Sequence, residues 1–129
     1  MDTHAYLDEA SERFQNVYRG FAPTVQKAFP MPKPSFEHGM PGFKTRITDV
    51  EREEWRGTID HNFLHLYMVE RKSGITFHIW DPRNYYGLDE MRDELTNLGF
   101  KVMRGCIVWN RKREYPIQLM QELVQALAK

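Results

Sequence analysis

The sequence predicts an α+β fold in which N-terminal, middle and C-terminal helices pack on one face of an antiparallel sheet. Apolar residues recur at three- and four-residue steps near both ends of the chain and after residue 84, the period of amphipathic helices. Residues 62–69 and 75–80 instead alternate in polarity, the period of strands. The order helix, strands, helix, strand, helix is typical of a sheet covered by helices on one side and left partly open on the other.

Composition narrows the class of protein. At 129 residues the chain predicts a single domain, residues 1–129, large enough to bury a core. Lys plus Arg and Asp plus Glu both number 18, so no bulk charge favours nucleic acid or an anionic membrane. The single cysteine and the polar opening segment without a targeting signal predict a cytoplasmic protein. No apolar run is long enough to span a membrane.

Three segments carry the helical period. The first, capped by Asp2 or Thr3, predicts one helix up to Phe21, with Pro23 beginning a short continuation and residues 30–34 forming an extended link. The last begins at Pro116. The middle helix ends at Gly99, and its predicted buried stripe is Leu88, Met91, Leu95 and Leu98.

The clearest strands are those of the 62–69 and 75–80 hairpin, joined by the turn-rich segment 70–74. One face, Leu64, Leu66, Met68, Ile75, Phe77 and Ile79, is predicted to be core. A weaker pattern pairs 43–48 with 55–59. Residues 101–109 predict one further strand, apolar on both sides in its second half and therefore central.

Histidine and aromatic residues occupy the opposite face of the hairpin. A simple turn places His65 roughly opposite His78, close enough for two imidazoles to share a cation. The alternative is that these rings pack against one another without metal. A ligand or partner bound at this face would contact His65, Tyr67, His78 and Trp80, and the predicted candidates also include His38 and Met40 at the rim of the 39–42 turn.

The middle helix carries a run of carboxylates on its predicted solvent side. Asp89, Glu90, Asp93 and Glu94 form like-charged pairs four residues apart, which a bound cation would relieve. The alternative is that the acids favour the positive helix start, with Arg92 among them.

The remaining candidates have simpler explanations. The basic triplet Arg111-Lys112-Arg113 can touch phosphate or be a solvated turn, and Cys106 is predicted to be an inert buried thiol. The stretch 39–42, GMPG, predicts a chain turn more than a ligand loop, anchored by Phe36 and Phe43. No phosphate-binding glycine loop, HExxH, CxxC or nucleophile elbow is present, so nothing in the sequence argues for catalysis.

Three elements in order resemble a known family. GMPGFK at 39–44, RGCIVW at 104–109 after the strand ending at Trp80, and YPIQLMQELVQAL at 115–127 are similar to the YdhG-like family. The segment between residues 45 and 61 is longer and more charged than in that family, and Gly74 stands where relatives tend to have a histidine.

This resemblance implies a frataxin-like α+β fold and, for some members, intracellular iron delivery. The expected function is therefore a non-enzymatic binding protein that holds ferrous iron weakly through Asp89, Glu90, Asp93 and Glu94. One alternative is a small-ligand or protein interaction module without metal that uses the histidine and aromatic face. Another is an enzyme in which His65 and His78 do acid–base work. An apolar sheet face also allows a homodimer.

Overall fold

A computed structural model describes residues 1–46, 63–83 and 85–129 of the chain. Within these ranges it contains four helices and one antiparallel sheet of six strands. In chain order the elements are α1 (Thr3–Glu9), α2 (Glu12–Ala28), β1 (Lys33–Glu37), β2 (Met40–Arg46), β3 (Phe63–Arg71), β4 (Gly74–Trp80), α3 (Tyr86–Leu98), β5 (Lys101–Met103), β6 (Cys106–Trp109) and α4 (Ile117–Leu127). The strand order is β1-β2-β3-β4-β6-β5.

The α+β class is confirmed, and so is the predicted core face of the central hairpin. Leu64, Leu66 and Met68 of β3 lie in one buried cluster with alternate residues of β4 and the apolar residues of α2, α3 and α4. Removing this apolar surface from water is the main force that holds the helices on the sheet. The predicted members Ile75, Phe77 and Ile79 are all buried in the same cluster.

The predicted first helix is in fact two helices. Ser11 interrupts the pattern because its hydroxyl accepts a hydrogen bond from the Phe14 N–H at 3.1 Å and so begins α2. Asp2 caps α1 as expected, accepting from the Ala5 N–H at 2.9 Å. Pro23 lies inside α2 without ending it, on the exposed side of the helix, so the predicted break there is wrong.

The middle and last helices follow their predictions closely. Gly99 ends α3 with a positive φ of 125°, and Pro116 precedes the first residue of α4. Leu88 and Leu95 are fully buried, and Met91 packs on the core from a partly buried position. Leu98, however, remains 39% exposed, so the predicted stripe is one residue too long.

The segment 101–109 is a hairpin and not one central strand. A tight turn at Arg104-Gly105 separates β5 from β6, and Gly105 takes a φ of 82° there. Only β6 is central, because it pairs with β4 on one side and β5 on the other. β5 forms the edge of the sheet.

The GMPG stretch contains a turn, but at its beginning. His38 and Gly39 both have positive φ, 54° and 74°, and form a two-residue loop between the paired residues Glu37 and Met40. Residues 40–42 then belong to β2, and the predicted link at 30–34 ends in the edge strand β1. Prolines are tolerated at such an edge.

The predicted 43–48 strand is present in β2 as far as Arg46. Its proposed partner, 55–59, and His61 lie outside the described residues. In the described part of the chain, no helix is both long and apolar enough to cross a membrane.

Candidate functional site: an aromatic patch around Trp80

The register of β3 on β4 decides which side chains meet. Lys72 and Ser73 alone form the turn, since Arg71 already pairs with Gly74. His65 therefore lies opposite Trp80, and Tyr67 lies opposite His78. The predicted facing of His65 and His78 is wrong, because it assumed a longer turn. The predicted and observed registers of β3 on β4 differ by two residues. An even shift leaves every side chain on its predicted face of the sheet.

Four of the predicted ligand residues come together around one indole. The ring of Trp80 lies 5.4 Å from His65, 5.6 Å from His38 and 6.0 Å from Tyr67, measured between centroids. The His38 and Tyr67 rings are tilted by 76° and 70° against the indole plane. Edge-to-face contacts at these distances are attractive beyond the area they bury. We call His38, His65, Tyr67 and Trp80 the Trp80 patch.

A chain of polar contacts beneath the Trp80 patch fixes two of its rings. The Tyr67 hydroxyl lies 3.0 Å from the Ser35 hydroxyl and 3.2 Å from Nδ1 of His65. A carboxylate oxygen of Glu37 lies 4.0 Å from the same Nδ1 and gains an ion pair when the imidazole is protonated. These contacts limit the rotation of the His65 and Tyr67 rings. The Trp80 indole packs against both rings, so its position is restricted as well.

Gly42 makes this arrangement possible. It pairs with Ser35 on one side and Tyr67 on the other. A Cβ atom at residue 42 would lie 2.6 Å from Cδ1 of the tyrosine ring. Because residue 42 has no side chain, the Tyr67 ring can lie over it and its hydroxyl can reach the Ser35 hydroxyl.

Burial within the Trp80 patch is uneven. His65 and Tyr67 are almost completely buried, whereas His38 is exposed and Trp80 keeps 40% of its surface in solvent. Met40, predicted to lie at the rim beside His38, is instead buried against Tyr67 and Val69. The surface offered to a ligand is thus the Trp80 indole with the His38 imidazole beside it.

His78 pairs across the sheet with Tyr67 on one side and with Cys106 on the other. Burial, and then the nearby Arg71 charge, lowers the pKa of His78, while burial raises the pKa of the half-buried Cys106 thiol. Both groups are therefore neutral near pH 7. A neutral pair lacks the thiolate that a cysteine nucleophile needs.

The acidic residues of α3 lie on the surface and are not gathered into a cage. Asp89, Glu90, Asp93 and Glu94 are all exposed, and an Asp89 oxygen lies 2.6 Å from the Arg92 guanidinium. Across the described ranges, no three histidine, cysteine, aspartate or glutamate side chains are close enough to hold a metal ion.

Ser35, Glu37 and Gly42 are site residues that the sequence prediction missed. Ser35 and Glu37 follow a proline-rich link and carry no motif, and their role depends on strand pairing. If residues 33–37 are placed on an edge strand, alternation puts the side chains of Ser35 and Glu37 on one face of the sheet, which can be that of Tyr67. The sequence predicts a turn at Gly42, whereas the residue lies in β2 and allows β2 to approach β3 closely.

Comparisons with models of protein families, with curated proteins and with solved structures gave no match for this chain.

Proposed function

We propose that this chain is a non-enzymatic binding module that uses the Trp80 patch to hold a flat aromatic group of a small ligand. The observation that carries the proposal is that Trp80 is 40% exposed to solvent and yet contacts the rings of three other residues. A large aromatic side chain held in this way offers stacking area to a ligand at little cost in side-chain entropy.

Preorganisation supports this role. His65 and Tyr67 are buried, and the Tyr67 hydroxyl is hydrogen-bonded to both His65 and Ser35, so the rings that support the indole are fixed before a ligand arrives. His38 occupies a two-residue turn, which places a polar ring beside the stacking surface. Sites built on strands in this manner hold their geometry more closely than sites on long loops.

The metal-free module is favoured over iron delivery because of the surroundings of the acidic helix. An oxygen of Asp89 is already paired with the Arg92 guanidinium, which competes with any cation for that carboxylate. Ferrous iron binding by Asp89, Glu90, Asp93 and Glu94 stays a prediction. Membership of the YdhG-like family, with its frataxin-like fold and a cytoplasmic location, is likewise our proposal, supported by the three sequence elements and the α+β class.

Replacing Trp80 by alanine should strongly weaken the binding of aromatic fragments. An indole fragment of the size that stacks on one ring should bind the wild-type chain with a dissociation constant of about 1 mM. Loss of the stacking surface should weaken binding at least tenfold, because the ring contact and its buried area disappear together. Saturation-transfer NMR with a set of aromatic fragments measures the effect.

Tyr86→Ala is the matched control, because Tyr86 is an aromatic residue of similar exposure, 45%, on α3. Fragment signals should survive this change unaltered. Equal loss in both variants, or unchanged signals in Trp80→Ala, would refute the proposal. Thermal denaturation of both variants checks that each is folded.

A further inference from the structure

A cleft with an excess of positive charge lies at the β3–β4 turn. It has a volume of about 270 Å³ and opens between this turn and the loop that joins β6 to α4. Its charged lining consists of five basic side chains and one carboxylate, although the whole chain has no net charge. These residues are Arg13, Arg71, Lys72, Arg111, Lys112 and Glu70.

The backbone on both sides of the cleft is held in place. Arg13 donates to the carbonyl oxygens of Arg111 at 2.7 Å and of Arg113 at 2.9 Å, which ties the loop to α2. On the other side, Gly74 approaches the Trp109 backbone so closely that a Cβ atom there would lie 2.9 Å from the Trp109 carbonyl carbon. The turn with Arg71 and Lys72 and the loop with Arg111 and Lys112 therefore line the same cleft. Within the loop, Nε of Arg111 donates to the Gly99 carbonyl oxygen at 3.3 Å, which among the described residues leaves Lys112 as its unoccupied cation at the cleft.

The single carboxylate of the cleft is held against the start of α2. Glu70 accepts hydrogen bonds from the backbone N–H of Ser11 at 3.0 Å and from the Ser11 hydroxyl, so it is engaged by the start of α2. Arg71, Lys72 and Lys112 are exposed at the cleft. Like charges placed together repel one another, and an anion bound among them removes that repulsion.

We propose that this cleft binds a small polyphosphorylated ligand. Arginine and lysine together suit phosphate oxygens, arginine through paired N–H donors and lysine as a compact charge. The volume accommodates a few phosphate groups. The cleft is also distinct from the Trp80 patch, since Gly74 and Trp80 are the two ends of β4, about 20 Å apart at the rise of a strand.

Isothermal titration with inorganic tripolyphosphate at low salt tests the proposal. The wild-type chain should bind one equivalent, and the double variant Arg71→Gln, Lys72→Gln should weaken binding about tenfold. The matched control, Lys101→Gln with Arg104→Gln, removes two exposed cations from the other tight hairpin and should change the affinity less than twofold. Circular dichroism confirms that both variants fold.

Two further binding experiments identify the chemical class of the ligand. Citrate, a carboxylate polyanion, should bind more weakly than tripolyphosphate, and vesicles containing anionic phospholipid should not retain the chain. Equal weakening by both double variants, tighter binding of citrate, or vesicle binding without tripolyphosphate binding would each overturn the proposal. So would the absence of heat up to about 10 mM tripolyphosphate, the weakest affinity that these charges should give.

Discussion

Gly42→Ala should destabilise the chain by about 3 kcal/mol or more, a large effect for the addition of one methyl group. The new Cβ atom would collide with the Leu66 carbonyl oxygen and would lie 2.7 Å from the Tyr67 Cα atom. Both are backbone atoms of the neighbouring strand, which cannot move aside as a flexible side chain can. Relief requires β2 to separate from β3. Chemical denaturation followed by circular dichroism measures the free energy of unfolding.

Gly39→Ala, three residues earlier in the same hairpin, is the matched control. Gly39 has a positive φ of 74°, but no heavy atom lies within 4 Å of the position of a Cβ. This variant should cost only the strain of a left-handed alanine, about 1 kcal/mol. If Gly42→Ala is no more costly than Gly39→Ala, the close packing of β2 on β3 described above is wrong.

Trp109→Ala should have an effect of similar size, about 3–5 kcal/mol, for the opposite reason. Trp109 is 1% exposed and packs against Phe100 at 4.9 Å and Tyr115 at 6.1 Å between ring centroids. Its Nε1 also donates to the Arg113 carbonyl at 3.3 Å. Alanine would leave a cavity between β6 and the loop that leads to α4. Denaturation of the variant measures the loss of stability.

Trp109→Phe separates the two contributions to that loss. Phenylalanine keeps much of the ring volume but has no N–H to donate, so it should cost about 1–2 kcal/mol. A cost below about 1 kcal/mol for Trp109→Ala would mean that the residue is not part of the core.

The core face could be predicted because alternation along a strand has a fixed meaning. Leu64, Leu66 and Met68 are separated by polar or aromatic residues, so a strand must place all three on one side. The same reasoning located the helices and the stop at Gly99. These features depend on residues close together in the chain, and local geometry fixes them.

The site could be predicted only in part, because its assembly depends on how strands are paired. Sequence patterns selected His38, His65, Tyr67 and Trp80, but the pairing of His65 with Trp80 follows from a two-residue turn that 70–74 does not reveal. The contacts of Ser35 and Glu37 with those rings join residues about 30 positions apart. The Arg104-Gly105 turn was overlooked because apolar residues on both sides of it resemble one strand.

The basic cleft shows the same limit. Arg111 and Lys112 form a basic triplet with Arg113 in the sequence, but nothing in the sequence brings them beside Arg71 and Lys72. Their proximity requires β4 to lie next to β6, which is a long-range pairing. Charge summed over the chain is zero and so conceals a local excess.

The most direct test of the Trp80 patch, on which the proposed function rests, is a nuclear Overhauser measurement between aromatic protons of the free chain. We expect cross-peaks from the Trp80 indole to the rings of His38, His65 and Tyr67, since all three centroids lie within 6.0 Å. Absence of those cross-peaks, with one between His65 and His78 instead, would show the other register and contradict the account.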